Sequence, residues 1–196
     1  PGGLCAPWSE GNAMKTVLFS LAGCVAIAIA VVLILAAMKP DSFQVQRSIV
    51  VNAPPERVYP LIADFRAWGA WSPWEKKDPA MKRSVTGPES GVGARYAWDG
   101  DKNVGRGTME IVEAAPSRVA LKLDFLAPFE AHNMAVFALQ PQGTGAATAT
   151  TVTWTMTGPT PFIGKIIHVF MNMDRMVGGD FEAGLAAMKA TAERPV

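Results

Sequence analysis

RSIVVNAPPERV, residues 47–58, joins a strand directly to a helix. Residues 43–52 alternate apolar and polar side chains, and this alternation is broken only at Arg47 and Val50. A period of about two is typical of a strand with one buried face. The two prolines at 54–55 then mark the start of a helix, because proline is tolerated in a first helical turn. The segment predicts an opening strand followed at once by a short helix.

A tryptophan repeat follows this helix and precedes a long β region. Trp68, Trp71 and Trp74 recur at every third position, which predicts a second short helix or turn with its indoles packed inward. Residues 81–157 then show alternating stretches separated by turn signals such as the Asp-Gly-Asp at 99–101, and they predict about six antiparallel strands. The small residues at 143–149 are interpreted as a loop between two of these strands.

The C-terminal part of the chain has helical periodicity. From Phe162 to Met188 the apolar residues recur mostly at spacings of three and four, which predicts one amphipathic helix of about 30 residues. Gly178 and Gly179 mark a candidate kink within it. A strand, two short helices, a run of strands and a long helix predict an α+β fold, in which a curved antiparallel sheet wraps around the C-terminal helix.

The N-terminal part contains an uncharged stretch of a different kind. Residues 16–38 carry no charge and lie between Lys15 and Lys39. At about 1.5 Å per residue such a helix spans the roughly 30 Å core of a bilayer. A cleavable signal peptide and a lipoprotein signal ending at Cys24 fit less well, because the apolar stretch is too long and continues past the cysteine.

This reading divides the chain into three parts. Residues 1–13 are interpreted as a disordered or misassigned extension, residues 14–40 as a transmembrane signal anchor, and residues 41–196 as the globular domain. A short N-terminal flank before the anchor favours an extracytoplasmic position for the domain. The membrane, through residues 16–38, is therefore one expected partner.

Charge and cysteine content exclude several classes of function. Of the charged residues, only Lys15, Lys39 and Glu10 precede residue 41. The domain therefore carries 16 basic and 16 acidic residues and has no net charge. A nucleic-acid-binding domain would show a basic surface, so nucleic acid is not expected as a partner. The domain contains no cysteine, and its two histidines are too far apart in sequence to suggest a metal site. We predict neither a metal nor an organic cofactor.

The order of elements and several local motifs resemble the SRPBCC superfamily, the START-like helix-grip proteins that include polyketide cyclases, dehydratases and lipid-transfer domains. The resemblance covers about residues 43–193. It rests on these motifs, quoted as they stand: RSIVVNAPPERV at 47–58, WSPW at 71–74, GVGA at 91–94, GRG at 105–107 and FEAGL at 181–185. Such a resemblance implies a cavity between the sheet and the C-terminal helix, and it leaves the activity open.

The implied cavity gives a set of candidate ligand-binding residues. They are the inward residues of the late strands and the apolar stripe of the helix: Trp98, Met109, Phe125, Phe137, Trp154, Met156, Phe170, Met173 and Val177. Ordinary core packing explains each of them as well. The abundance of methionine, with ten in the chain, favours an adaptable apolar surface.

Few polar residues qualify as catalytic groups. His132 and Asn133 are candidates for an acid or base and its orienting amide, although neighbours on a strand face opposite sides of a sheet. Glu110 and Arg106 share a strand face, as a buried polar pair or as part of an exposed surface. His168 is interpreted as a surface or satisfied helix residue.

Three hypotheses about function follow. The first is binding of a hydrophobic small molecule or lipid in the internal cavity of a membrane-anchored domain. The second is an enzyme similar to polyketide cyclases or dehydratases that uses the same cavity. The third is an interaction module without a ligand, with the tryptophans at 68–74 as its partner surface.

Overall fold

The computed structural model of the chain describes residues 10–143 and 149–195, so most of the expected loop at 143–149 lies outside the described residues. The chain forms two compact units. One contains the N-terminal residues as far as Pro40 together with 161–171, and the other contains 41–160 together with the residues from Asn172 onward. We call the second unit the sheet domain.

The sheet domain is built on seven antiparallel strands. They are β1 (Ser42–Val51), β2 (Lys82–Thr86), β3 (Arg95–Asp99), β4 (Arg106–Ala115), β5 (Arg118–Ala127), β6 (Ala131–Gln142) and β7 (Ala149–Pro159). Their order across the sheet is β1-β7-β6-β5-β4-β3-β2. The first strand therefore pairs with the last, while the others follow one another as neighbours. This curved sheet confirms the predicted α+β helix-grip fold.

The chain between β1 and β2 forms three short helices. They are α2 (Pro55–Ala63), a 3₁₀ helix (Phe65–Ala70) and α3 (Trp74–Lys77). The indole nitrogen of Trp68 donates to the carbonyl of Ile62 at 3.0 Å, and that of Trp71 donates to Leu61 at 2.7 Å. Both tryptophans are buried. These bonds explain the spacing of three: the indoles turn inward and fasten the 3₁₀ helix to the end of α2.

The predicted single C-terminal helix is wrong, because the chain forms two helices. These are α4 (Phe162–Phe170) and α5 (Met173–Ala192). Met171 has an extended backbone, and the side chain of Asn172 caps α5 by accepting a hydrogen bond from the amide of Arg175 at 3.2 Å. The helical conformation is therefore interrupted between α4 and α5, where the Asn172 side chain caps the first turn of α5. The two glycines at 178–179, predicted as the kink, lie inside α5.

The Asn172 cap gives a first testable prediction. Asn172→Ala should lower the free energy of unfolding of the sheet domain by about 1 kcal/mol, because the first turn of α5 loses an acceptor. Asn172→Asp keeps the acceptor and is the matched control, with an expected change close to zero. Urea unfolding followed by tryptophan fluorescence measures both variants. Equal losses in the two variants would show that the cap does not determine where α5 begins.

The other unit contains one helix of membrane-spanning length. This helix, α1 (Glu10–Ala37), begins earlier than the expected anchor start at Met14. An 18-residue stretch within its residues 14–37 has a mean hydropathy of 2.9, and among the helices described only this one is long and apolar enough to cross a membrane. Within the unit α4 packs against α1.

Candidate functional site

An aromatic cluster occupies the space between the concave face of the sheet and α5. Its members are Trp71, Trp74, Phe137, Trp154 and Phe181. The rings of Trp154 and Phe181 stack with centroids 3.9 Å apart and planes 5° from parallel. Trp71 and Trp74 meet Trp154 edge-on, at 5.6 and 5.7 Å. The cluster joins β6, β7, α5 and the short helices, so its packing holds the layers of the domain together.

Strand alternation places the predicted sheet residues on this inner face. Six of them pack within or against the core, namely Trp98, Met109, Phe125, Phe137, Trp154 and Met156. Met173 and Val177 of α5 are partly buried against the same core. Phe170 does not join them: it lies on α4, in the other unit, and is 73% exposed. Its assignment to the groove of the sheet is corrected, because the break before α5 removes α4 from the sheet domain.

Three side-chain polar atoms are buried without a hydrogen-bond partner among the described residues. They are Oδ1 of Asn133, Nε1 of Trp154 and Oγ1 of Thr160. Asn133 precedes Met134, the first residue of β6 that pairs with β7, and a Cβ atom at Gly158 would come within 1.9 Å of Asn133 Oδ1. Glycine at this position therefore leaves the space in which the Asn133 side chain lies. The amide oxygen of Asn133 and the indole N–H of Trp154 come from the neighbouring strands β6 and β7, and Thr160 directly follows β7.

A second polar group lies at the edge of this interior. Tyr96 Oη donates a hydrogen bond to Glu75 Oε1 at 2.5 Å, and Arg83 Nε pairs with the other carboxylate oxygen at 2.6 Å. The Glu75 side chain is 11% exposed. Burial, followed by the neighbouring Glu75 carboxylate, raises the pKa of the Tyr96 hydroxyl, so it remains a hydrogen-bond donor. We call these three residues the Glu75 cluster.

Sequence reasoning missed the Glu75 cluster. Glu75 follows Trp74 on a short helix, and Arg83 stands on an edge strand with exposed residues on both sides. These positions are typical of a solvated surface. A usable signal was Tyr96, a phenol on the inner face of β3, since a buried Tyr hydroxyl usually has a partner.

Arg47 explains the break in the alternation of the first strand. Its Nε pairs with Glu182 and its Nη1 with Asp174, both at 2.6 Å, so β1 is tied to α5. The hydrogen bond from Arg47 holds the pKa of Asp174 below its usual value. A Cβ atom at Gly178 would lie 2.0 Å from the guanidinium, so this glycine gives the arginine room to cross the helix.

The four candidate catalytic residues do not come together. Asn133 faces inward, while the His132 side chain is 64% exposed. Nδ1 of His132 lies 2.7 Å from Asp124 Oδ1, and its Nε2 lies 3.4 Å from Glu130 Oε1. Glu110 pairs with Arg95 at 3.2 Å in a neighbouring strand rather than with Arg106. Arg106 lies at a surface depression of about 300 Å³ beside the β3–β4 turn. Of the four, Asn133 alone faces the interior.

The pair of His132 and Asp124 predicts a pH effect of defined sign. The hydrogen bond to Asp124 raises the pKa of His132. The stabilising contribution of charged His132 is therefore complete below its unfolded pKa of about 6.5, and it is lost as the pH rises through the higher folded value. NMR titration should give a higher pKa for the His132 imidazole in the parent protein than in the Asp124→Asn variant. An identical pKa in both proteins would show that the carboxylate does not contact the ring in solution.

Comparisons with known proteins agree with this architecture. Protein CV1439 from Chromobacterium violaceum is 18% identical, with a TM-score of 0.53 over 80% of this chain and 100% of that one. Norcoclaurine synthase from Thalictrum flavum is 11% identical, with a TM-score of 0.56 over 83% and 94%. Major latex-like protein 151 from Panax ginseng is 10% identical, with a TM-score of 0.53 over 79% and 100%. At these identities the likeness shows the fold alone.

A sequence family gives a more specific result than the individual structures. No curated protein matches the chain. Residues 42–193, which include every strand of the sheet together with α5, match the family described as polyketide cyclase/dehydrase and lipid transport. By this match over most of its length, the chain belongs to the polyketide cyclase/dehydrase and lipid transport family.

Proposed function

We propose that the sheet domain binds an apolar small molecule that carries a hydrogen-bonding group, between the inner face of the sheet and α5, and that α1 anchors the protein in a membrane. The family supports a hydrophobic ligand-binding domain. The inner face adds the chemistry: large aromatic side chains for the apolar body and a few inward polar atoms for its polar group.

The unpartnered polar atoms carry the proposal. A buried polar atom without a partner costs about 1–3 kcal/mol, which a protein gains back when a ligand supplies the missing hydrogen bond. Trp154 Nε1 can donate and Asn133 Oδ1 can accept, so a hydroxyl, carbonyl or amine on an otherwise apolar ligand would match them. Norcoclaurine synthase holds dopamine and hydroxybenzaldehyde, which are aromatic molecules with polar groups.

The aromatic cluster determines how such a ligand would enter. Four of its members are at most 3% exposed, while Trp74 is half-buried. Trp74 begins α3, a helix of four residues whose Lys77 pairs with Asp180 of α5 at 2.6 Å. Trp74 is the least buried member of the cluster, so we place the ligand's entrance beside it, between the contacts that Glu75 and Lys77 make to the rest of the domain.

Anchoring in a membrane would allow the domain to be occupied by an apolar ligand even if its affinity for that ligand is modest. Residues 14–37 suit a membrane span by length and composition. A domain tethered to a bilayer meets apolar molecules at a local concentration far above their concentration in water. Anchoring therefore complements an apolar binding site without any additional contact to the ligand.

The proposal is tested by identifying what purifies with the protein. The full chain is purified in detergent, extracted with organic solvent and analysed by mass spectrometry, with Asn133→Leu and the outer-face variant His132→Asn prepared in parallel. We expect one apolar molecule with a polar group in the parent protein and in His132→Asn, and several-fold less of it in Asn133→Leu.

The other outcomes decide between the hypotheses. Extracts identical to a detergent blank, for all three proteins, would contradict ligand binding and favour an interaction module. A pair of molecules related by loss of water or by ring closure would instead identify the domain as an enzyme. Equal retention by Asn133→Leu would show that the polar end of the ligand lies elsewhere.

A further inference from the structure

Helix α4 carries a stripe of exposed apolar side chains. Phe162 is 51%, Ile163 67%, Ile167 41% and Phe170 73% exposed. At about 100° per residue these four side chains fall within less than half of the helix circumference. Such a contiguous exposed apolar surface is uncommon on a soluble domain and indicates an interaction site.

The opposite side of α4 is different in chemistry and in burial. Gly164, Lys165 and His168 point away from the stripe and are half-buried. On a helix that packs on a core and faces water, the polar side chains are the exposed ones. In α4 the exposed side chains are all apolar, while Ile166 and Val169 are half-buried like the polar ones. The environment of the exposed side is therefore expected to be apolar.

The buried residues of α1 show where along the membrane span α4 packs. Among residues 14–37 only Ala36 is buried, at 0% exposure, and only Val32 is half-buried. Within its own unit, α1 packs against α4. These two residues lie one helical turn apart near the C-terminal end of α1, directly before Lys39. The contact is therefore located where the predicted span leaves the hydrocarbon core.

We propose that α4 is an interfacial membrane helix whose apolar stripe inserts at the boundary between headgroups and acyl chains beside the end of α1. This inference rests on the proposed membrane span. The occupant is a lipid bilayer, because the stripe lies on a helix that packs against α1, and the exposed side chains of α1 themselves suit lipid. Lys39 follows the span and Lys165 lies on α4, and such positive charges suit the level at which lipid phosphates are found.

This second contact would restrain the chain next to the ligand-binding domain. Residues 161–171 lie between β7 and α5, and α5 starts two residues beyond Met171. A helix held in the interface therefore tethers the domain at α5 as well as at β1. A single flexible tether would leave the domain free to tumble, whereas separate attachments restrict it.

Depth-dependent fluorescence quenching tests the proposal on the full chain. Single cysteines are introduced at Ile167 and Phe170 after Cys5→Ser and Cys24→Ser, labelled with an NBD fluorophore and reconstituted in phosphatidylcholine–phosphatidylglycerol vesicles. Ile27→Cys in mid-span and Lys102→Cys on the sheet domain are the membrane and water controls. We expect spin-labelled lipid to quench positions 27, 167 and 170 several-fold more than 102, and aqueous iodide to quench 102 most.

The controls separate the two proposals. Lipid quenching at 27 with iodide quenching at 167 and 170 would overturn the interfacial helix and leave the span intact. Iodide quenching at 27 would overturn the membrane anchor itself, and the interfacial helix with it. Protection of 167 and 170 from both quenchers would indicate a protein partner on the stripe, which also overturns contact with lipid.

Discussion

Phe181→Ala is expected to lower the free energy of unfolding of the sheet domain by about 3–5 kcal/mol. Phe181 is 1% exposed and stacks on Trp154, with a further edge contact to Trp74 at 6.3 Å. Truncation removes the transfer free energy of a phenyl ring and leaves a cavity that rigid indoles cannot fill. Urea unfolding of the full chain in detergent, followed by near-UV circular dichroism, measures the loss.

Phe170→Ala is the matched control, since it makes the same change on the neighbouring helix. Phe170 is 73% exposed and belongs to the other unit, so its truncation should change the unfolding of the sheet domain by less than about 0.5 kcal/mol. The two variants thus test the correction to the predicted helix. Comparable losses in both would mean that one continuous helix packs against the sheet after all.

Most of the fold could be predicted from the sequence because strands carry a local signal. The alternation in β5 and β7 places every second side chain on one face, and turn residues separate the strands. The helix break was not predicted, since the apolar residues of α4 and α5 keep the same spacing across Asn172. Helical periodicity does not reveal a break when the apolar spacing continues across it. An asparagine at position 172, as a candidate N-cap, would have indicated the start of a second helix.

The candidate site could be predicted only in part. Alternation along β6 and β7 identified Phe137 and Trp154 as inward residues, and it separated His132 from Asn133. Whether inward aromatic side chains enclose a space or fill it depends on how distant elements meet. Phe181 stacks on Trp154 from another element, and no pattern within one element encodes that contact. The partners of Glu75 were hidden for the same reason.

Glu75→Ala should destabilise the sheet domain by about 3 kcal/mol. The carboxylate accepts from Tyr96 and pairs with Arg83, each through a different oxygen. Its removal leaves the Tyr96 hydroxyl, in a residue 5% exposed, without an acceptor. The expected loss lies at the lower end for a broken buried pair, because the Arg83 side chain is 35% exposed and can turn toward water. Urea unfolding at neutral pH measures it.

Tyr96→Phe and the double variant Glu75→Leu/Tyr96→Phe complete the test. Tyr96→Phe leaves the pair with Arg83 intact and should cost about 1–2 kcal/mol. The double variant removes donor and acceptor together, so it should recover much of the stability lost in Glu75→Ala, because apolar replacement of both partners is often nearly neutral. No recovery would mean that Glu75 serves mainly to hold α3 against the sheet. If the double variant instead regains stability but no longer retains the co-purified molecule, the cluster is assigned to ligand binding. The carboxylate beside the aromatic interior would then be needed for the ligand and not for the stability of the fold.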